Sequence, residues 1–170
     1  MPTIEIVSLE CERLLPIKNS TLPFFVRQNT KLISHRSLFQ KILDNENGTI
    51  LHLGNKEFGR SGYFYGSELI DWAAEIKNES LMKEFGNKNI QEDFQPFRFE
   101  SSMFDSIKKI LKLALKYSPI KKCFFYTDIQ TNSEYGKEND LGYGKIIFED
   151  FINKQNNEYY IFNTLYEIYK

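Results

Sequence analysis

The stretch that most constrains the fold is Gly144 to Tyr169. GKIIFEDFIN is rich in β-branched and aromatic residues, NKQNN interrupts it with five polar, turn-tolerant side chains, and EYYIFNTLYEIY resumes the pattern. It predicts two strands joined by a polar turn, a long antiparallel hairpin. Such a hairpin is only marginally stable alone in water, so another element must cover its apolar face. The segment SSMFDSIKKILKLALKYSP, just upstream, supplies the cover. On a helix of 3.6 residues per turn, Met103, Phe104, Ile107, Ile110, Leu111, Ala114 and Leu115 fall in one arc. Asp105, Lys108, Lys109, Lys112 and Lys116 fall opposite, and Pro119 closes the helix. KKCFFYTDI then reads as a strand and TNSEYGKENDLGYG as a long polar loop. Helix, strand, loop and hairpin together predict an α+β fold, an antiparallel β-sheet with helices packed on it.

The upstream half adds shorter elements to the same plan. Thr3 to Glu10 reads as a first strand whose two faces are not cleanly polar and apolar, which predicts a strand covered on both sides. LPFFVRQ is a short strand that Pro23 confines to its start or to an edge. Ser34 caps a predicted helix over HRSLFQKILDN, and TILHL is a short buried strand running into Gly54. YFY, between glycines, reads as another short strand. Ser67 is the next expected N-cap, with Glu68 in the first turn and Leu69, Ile70, Trp72, Ala73 and Ile76 on the buried side of a helix. SLMKEF predicts a shorter helix ending at Gly86, and PFRFE a short strand.

The 170 residues contain no repeat, linker or low-complexity segment, which predicts a single domain over 1–170. A formal net charge of -1, with 26% charged and 41% hydrophobic residues, argues against both disorder and a generally basic nucleic-acid binder. Fifteen Phe and ten Tyr make the chain rich in aromatics, and the Tyr left over from the core suit a surface that another protein covers. Cys11 and Cys123 stand far apart, which gives neither a disulfide framework nor a zinc spacing. MPTIEIVSLE lacks the basic region and apolar run of a signal peptide, and no stretch has the length to span a bilayer. The expectation is a soluble protein of a reducing cytoplasm, without a membrane partner.

Two segments invite a catalytic reading. GNKEFGRS, Gly54 to Ser61, lies in a run with four glycines in thirteen residues and falls one residue short of the phosphate-binding loop GxxxxGK[ST]. It would make the chain a small nucleotide-binding or hydrolytic enzyme, with His52 beside the loop and Asp128 as a magnesium-holding acid. Against this, Arg60 replaces the phosphate-reaching lysine, and Gly62 with YFYG separates the loop from any helix that would face the phosphates. His35 and His52 form no HxxxH or HxH, so no metal or cofactor is expected. Gly142 and Gly144 read as a turn before a strand.

Charge is unevenly placed. Lys108 to Lys122 holds six lysines and no acid, a solvated helix face more than a nucleic-acid stripe, because arginine and interleaved aromatics are missing. Asp128 to Asp150 holds six acids against Lys137 and Lys145, with Tyr135 and Tyr143 among them. An acidic, tyrosine-bearing loop beside a sheet suits a basic protein partner and would steer its encounter.

The runs SLECERLLPIKNSTLPFFVRQNTKLISHRSLF, ILHLGN and GYFYGSELIDW resemble the cytoplasmic immunity proteins of bacterial contact-dependent growth inhibition systems. The likeness is to the group that neutralises metal-dependent DNase toxin domains. What it implies is a binding protein, not an enzyme, whose partner is a cognate toxin nuclease domain. It also implies that the toxin adds a β-hairpin to the immunity protein's sheet, with main-chain hydrogen bonds giving affinity and alternating side chains giving specificity. The residues expected at the toxin contact are Phe125, Asp128, Glu134, Tyr135, Glu138 and Tyr143, the aromatics as anchors and the acids for partner choice.

Overall fold

The structure, a computed structural model, describes residues 3–30, 47–57, 66–72, 96–128 and 142–170. The predicted helices over HRSLFQKILDN and SLMKEF, and the YFY strand, lie outside these residues.

The amphipathic helix forms as its periodicity dictates, α1 over Ser101–Tyr117. Ile107, Ile110, Leu111, Ala114 and Leu115 are buried, while Asp105, Lys109, Lys112 and Lys116 are exposed. Each Ile or Leu so buried stabilises the fold by about 1.5–3 kcal/mol relative to exposure. Glu100 caps the start, its carboxylate accepting from Ser102 N at 3.4 Å. At the other end Lys121, in the left-handed region at φ 55°, donates from Nζ to Lys116 O at 2.9 Å. A cation there suits the helix's negative end.

The helix lies on β1 (Thr3–Leu9) and β6 (Lys122–Asp128), and Ser8 Oγ donates to Ala114 O at 2.6 Å. With β2 (Phe25–Asn29), β3 (Gly48–Gly54), β7 (Gly142–Ile147) and β9 (Thr164–Tyr169) these strands make a six-stranded sheet in the order β2-β3-β1-β6-β9-β7. Neighbours are antiparallel except the last pair. Residues 4–9 of β1 are all buried, as its two-sided apolar pattern predicts. A second sheet, β4 (Ile70–Trp72), β5 (Pro96–Phe99) and β8 (Tyr160–Ile161), contributes to the same core, and the fold is α+β.

Three expectations are corrected. The closing stretch is not a hairpin: β7 is followed at once by α2 (Phe148–Asn157), and β7 pairs with β9 in parallel, Gly142 against Thr164 through Ile147 against Tyr169. Parallel strands need a crossover, and FEDFINKQNN supplies one. Phe148, Phe151 and Ile152 recur at helical spacing, Glu149 and Asp150 sit in the first turn, and NKQNN completes the last turns with Asn153, Asn156 and Asn157 exposed. The helix expected from Ser67 does not begin there: Ser67–Leu69 is a 3-10 turn running into β4, where Ile70 pairs with Phe99 and Trp72 with Phe97, while Ala73 and Ile76 lie outside the described residues. β-Branched and aromatic residues fit that half-buried ladder better than a helix. Gly142 and Gly144 lie inside β7 and not in a turn before it.

The core between the layers is aromatic. Tyr160 lies 4.7 Å from Phe99 and 4.8 Å from Phe151 between ring centroids, and Phe125 lies 5.2 Å from Phe151. Gln155 of α2 extends the short second sheet with its side chain: Nε2 donates to Phe99 O at 2.8 Å and Oε1 accepts from Phe99 N at 3.0 Å. A single amide thereby satisfies both backbone groups of a strand residue, which burial makes obligatory.

Candidate functional site

The strand period of two divides the large sheet's residues between two faces. One carries Ile4, Ile6, Leu51, Phe125 and Tyr166 and joins the core with α1, α2 and the second sheet. The other carries a separate buried cluster, Val7, Leu9, Ile50, Phe124, Tyr126 and Leu165. At its centre the register sets His52 opposite Glu5 and Glu5 opposite Tyr126. His52 Nδ1 stands 3.6 Å from Glu5 Oε1, and all three side chains are buried. His52 is thus a buried imidazole set beside a carboxylate inside the sheet.

Toward β7 the same face opens to solvent. Register places Glu167 of β9 between Phe124 and Lys145. The Glu167 carboxylate is largely buried and so needs partners. Lys122 Nζ lies 3.7 Å from its Oε1, Lys145 Nζ lies 3.6 Å from its Oε2, and the Tyr143 hydroxyl donates to Oε2. Ion pairs with solvated lysines contribute little stability. Their effect is to hold a fixed carboxylate beneath ammonium groups that remain in water.

Beside this cluster a groove of about 410 Å³ opens where β6 begins and β7 and β9 end. Ile120 and Tyr169 form its apolar walls, and Lys121, Lys122, Lys145 and Lys170 line it together with Glu167. Four basic side chains share the lining with one acidic side chain. Ile120, Tyr143, Ile147 and Tyr169 are four of the five large apolar side chains exposed among the described residues, and Ile147 and Tyr169 are register partners. Apolar groups gathered at one place in a polar rim mark interaction surfaces.

The sheet's two edges differ. At β2, the Asn19 side chain accepts from Val26 N at 2.7 Å and donates to Val26 O at 3.1 Å. Gln28 is held in the same way by Leu15, accepting from its N at 2.6 Å and donating to its O at 2.9 Å. The connection between β1 and β2 therefore covers that edge, a common defence against strand addition. Among the described residues, no side chain caps β7 in this manner.

Of the residues expected at the contact, Tyr143 is 53% exposed and belongs to this surface. Phe125 does not: it is 0% exposed and ringed by Phe99, Phe151 and Tyr166, so it anchors the core and is corrected from contact to structure. Asp128 ends β6, while Glu134, Tyr135 and Glu138 lie outside the described residues. Lys122, Lys145, Ile147, Glu167 and Tyr169 were missed by sequence reasoning. Their signal was present in the alternation of Tyr143, Lys145 and Ile147 and in the opposite charges of Lys145 and Glu167, which only a parallel pairing brings into register.

For the catalytic reading, Gly54 ends β3 and Asn55 to Glu57 follow, while residues 58–61 lie outside the described part. Among the described residues no three His, Cys, Asp or Glu side chains gather as a metal site. None of the described helices is long and apolar enough to cross a membrane. Comparison with protein families, with curated proteins and with solved structures gives no match for this chain.

Proposed function

We propose that this chain is a cytoplasmic immunity protein of a contact-dependent growth inhibition system, which binds a cognate toxin nuclease domain and blocks it without catalysis. The observation that carries the reading is the β7 end of the large sheet. Among the described strands β7 is the edge there, no described side chain bonds its backbone as Asn19 bonds β2, and Tyr143, Ile147 and Tyr169 lie exposed on or beside it. A strand or hairpin of the toxin pairs along β7, with main-chain hydrogen bonds supplying affinity and the exposed side chains selecting the partner. The resemblance of the runs Ser8 to Phe39, Ile50 to Asn55 and Gly62 to Trp72 to immunity proteins supports the same reading.

The test is co-expression with the toxin domain encoded beside this chain. The expected result is a complex that survives purification with a nanomolar or tighter dissociation constant, roughly -12 kcal/mol, and loss of DNA cleavage. Cleavage that persists with no complex refutes the reading. A rise in melting temperature with nucleotides and a divalent metal would then favour the enzyme built on Gly54 to Ser61.

A further inference from the structure

We infer that the groove at the start of β6 receives an acidic, partly apolar polypeptide segment of the partner, a sign of charge opposite to the one the acidic 128–150 stretch suggests. The inference deepens the immunity reading and rests on it for the partner's identity, but its physical basis is local. Lys121, Lys122, Lys145 and Lys170 line the groove with one acidic side chain, Glu167, so the lining side chains carry an excess of positive charge. Part of that charge is already engaged. Lys121 Nζ is held by Lys116 O, and Lys122 and Lys145 share Glu167. One carboxylate offsets only one of the two ammonium charges, so the pair keeps positive charge in reach of an incoming carboxylate. Ile120 and Tyr169 between the lysines offer the apolar contact that a bare anion would not use.

A nucleic acid fits this lining less well. Its phosphates are bound best by the planar fork of arginine, and the lining holds none. Glu167, fixed among the lysines, would also repel a closely spaced row of phosphates. A polypeptide can place its acids over the lysines and a hydrophobic side chain against Tyr169, avoiding the carboxylate. The adjoining β7 lets the same segment continue as an added strand.

The probe is a soluble random copolymer of glutamate and tyrosine, followed by amide chemical shifts of the full chain. Expected are shifts at Ile147, Tyr169 and Lys170 that saturate and weaken with salt. A short DNA duplex should leave those amides unmoved. The double variant Lys145→Gln with Lys170→Glu should weaken copolymer binding roughly tenfold, since exposed pairs contribute modestly each. Ile120→Ser, on a side chain 40% exposed, should weaken it at unchanged charge. Both variants should melt like the parent. Absent shifts, shifts elsewhere, or displacement of the copolymer by DNA overturn the inference. The toxin supplies the second arm. If the parent binds the copolymer here but leaves the toxin active, the groove stands and the immunity reading falls. If the parent and the double variant neutralise the toxin equally and the copolymer shifts are absent, the immunity reading stands and the groove falls.

Discussion

Tyr160 carries its hydroxyl into the aromatic cluster and donates it to Phe151 O at 2.8 Å, joining the second sheet to α2. Burial, and after it the neighbouring Tyr166, push its ionisation well above the ordinary 10.0. A group whose folded pKa is raised holds its proton when the unfolded chain has lost it. Its contribution is therefore complete below pH 10.0 and declines above it, by about 1.4 kcal/mol per pH unit. Tyr160→Phe should cost about 1 kcal/mol at neutral pH through the lost hydrogen bond. It should also remove the alkaline decline, so melting curves of parent and variant should converge above pH 10.0. Parallel curves at every pH would show that Tyr160 does not titrate this way. Burial pushes the Cys123 thiol up as well, but it is present in both proteins and cancels in the comparison. At this scale the sequence was legible where period decided the matter, as for Ile107 to Leu115. It was not legible for Phe125, because an aromatic in a strand looks the same whether its face meets a helix or a partner.

The parallel β7-α2-β9 unit is where elements diverged from expectation. Composition marked both strands, and they are indeed neighbours, but the ten residues that follow β7 are ambiguous by propensity. FEDFIN has the aromatic and β-branched content of a strand and the i, i+3, i+4 spacing of a helix. Burial of Phe148, Phe151 and Ile152 against the core decides for the helix, a tertiary effect that local composition cannot show. The two glycines of β7 allow a direct test. A Cβ on Gly142 would stand 2.5 Å from Thr164 Oγ1 and 3.1 Å from Thr164 Cβ, whereas one on Gly144 meets nothing within 4 Å. Gly142→Ala should therefore push β7 from β9 and cost about 1–3 kcal/mol. Gly144→Ala should stay within about 0.5 kcal/mol of the parent. Urea unfolding reads both, and equal midpoints for the two variants would contradict the parallel register.

Across the whole molecule, the sheet joins distant parts of the chain: β1 pairs with β6, and β9 lies between β6 and β7. Deleting residues 164–170 removes an interior strand together with the core residues Tyr166 and Ile168. The expected product has no cooperative thermal transition by circular dichroism, and a sharp transition would show that β6 and β7 hold without β9. The mixed layer plan was legible from the order of elements, since periodicity located α1 and strand-like runs located β1, β3, β5 and β6. Strand order was not, because pairing across a hundred residues depends on which faces fit. The position of β9 has a further consequence for how a cell makes this protein. β9 follows every other strand of the sheet in the chain, yet it occupies an inner place. While a ribosome still holds that segment, β6 has an open flank and β7 has nothing to pair with. The large sheet can therefore close only once residues 164–169 have emerged, and synthesis interrupted before them leaves it without an inner strand.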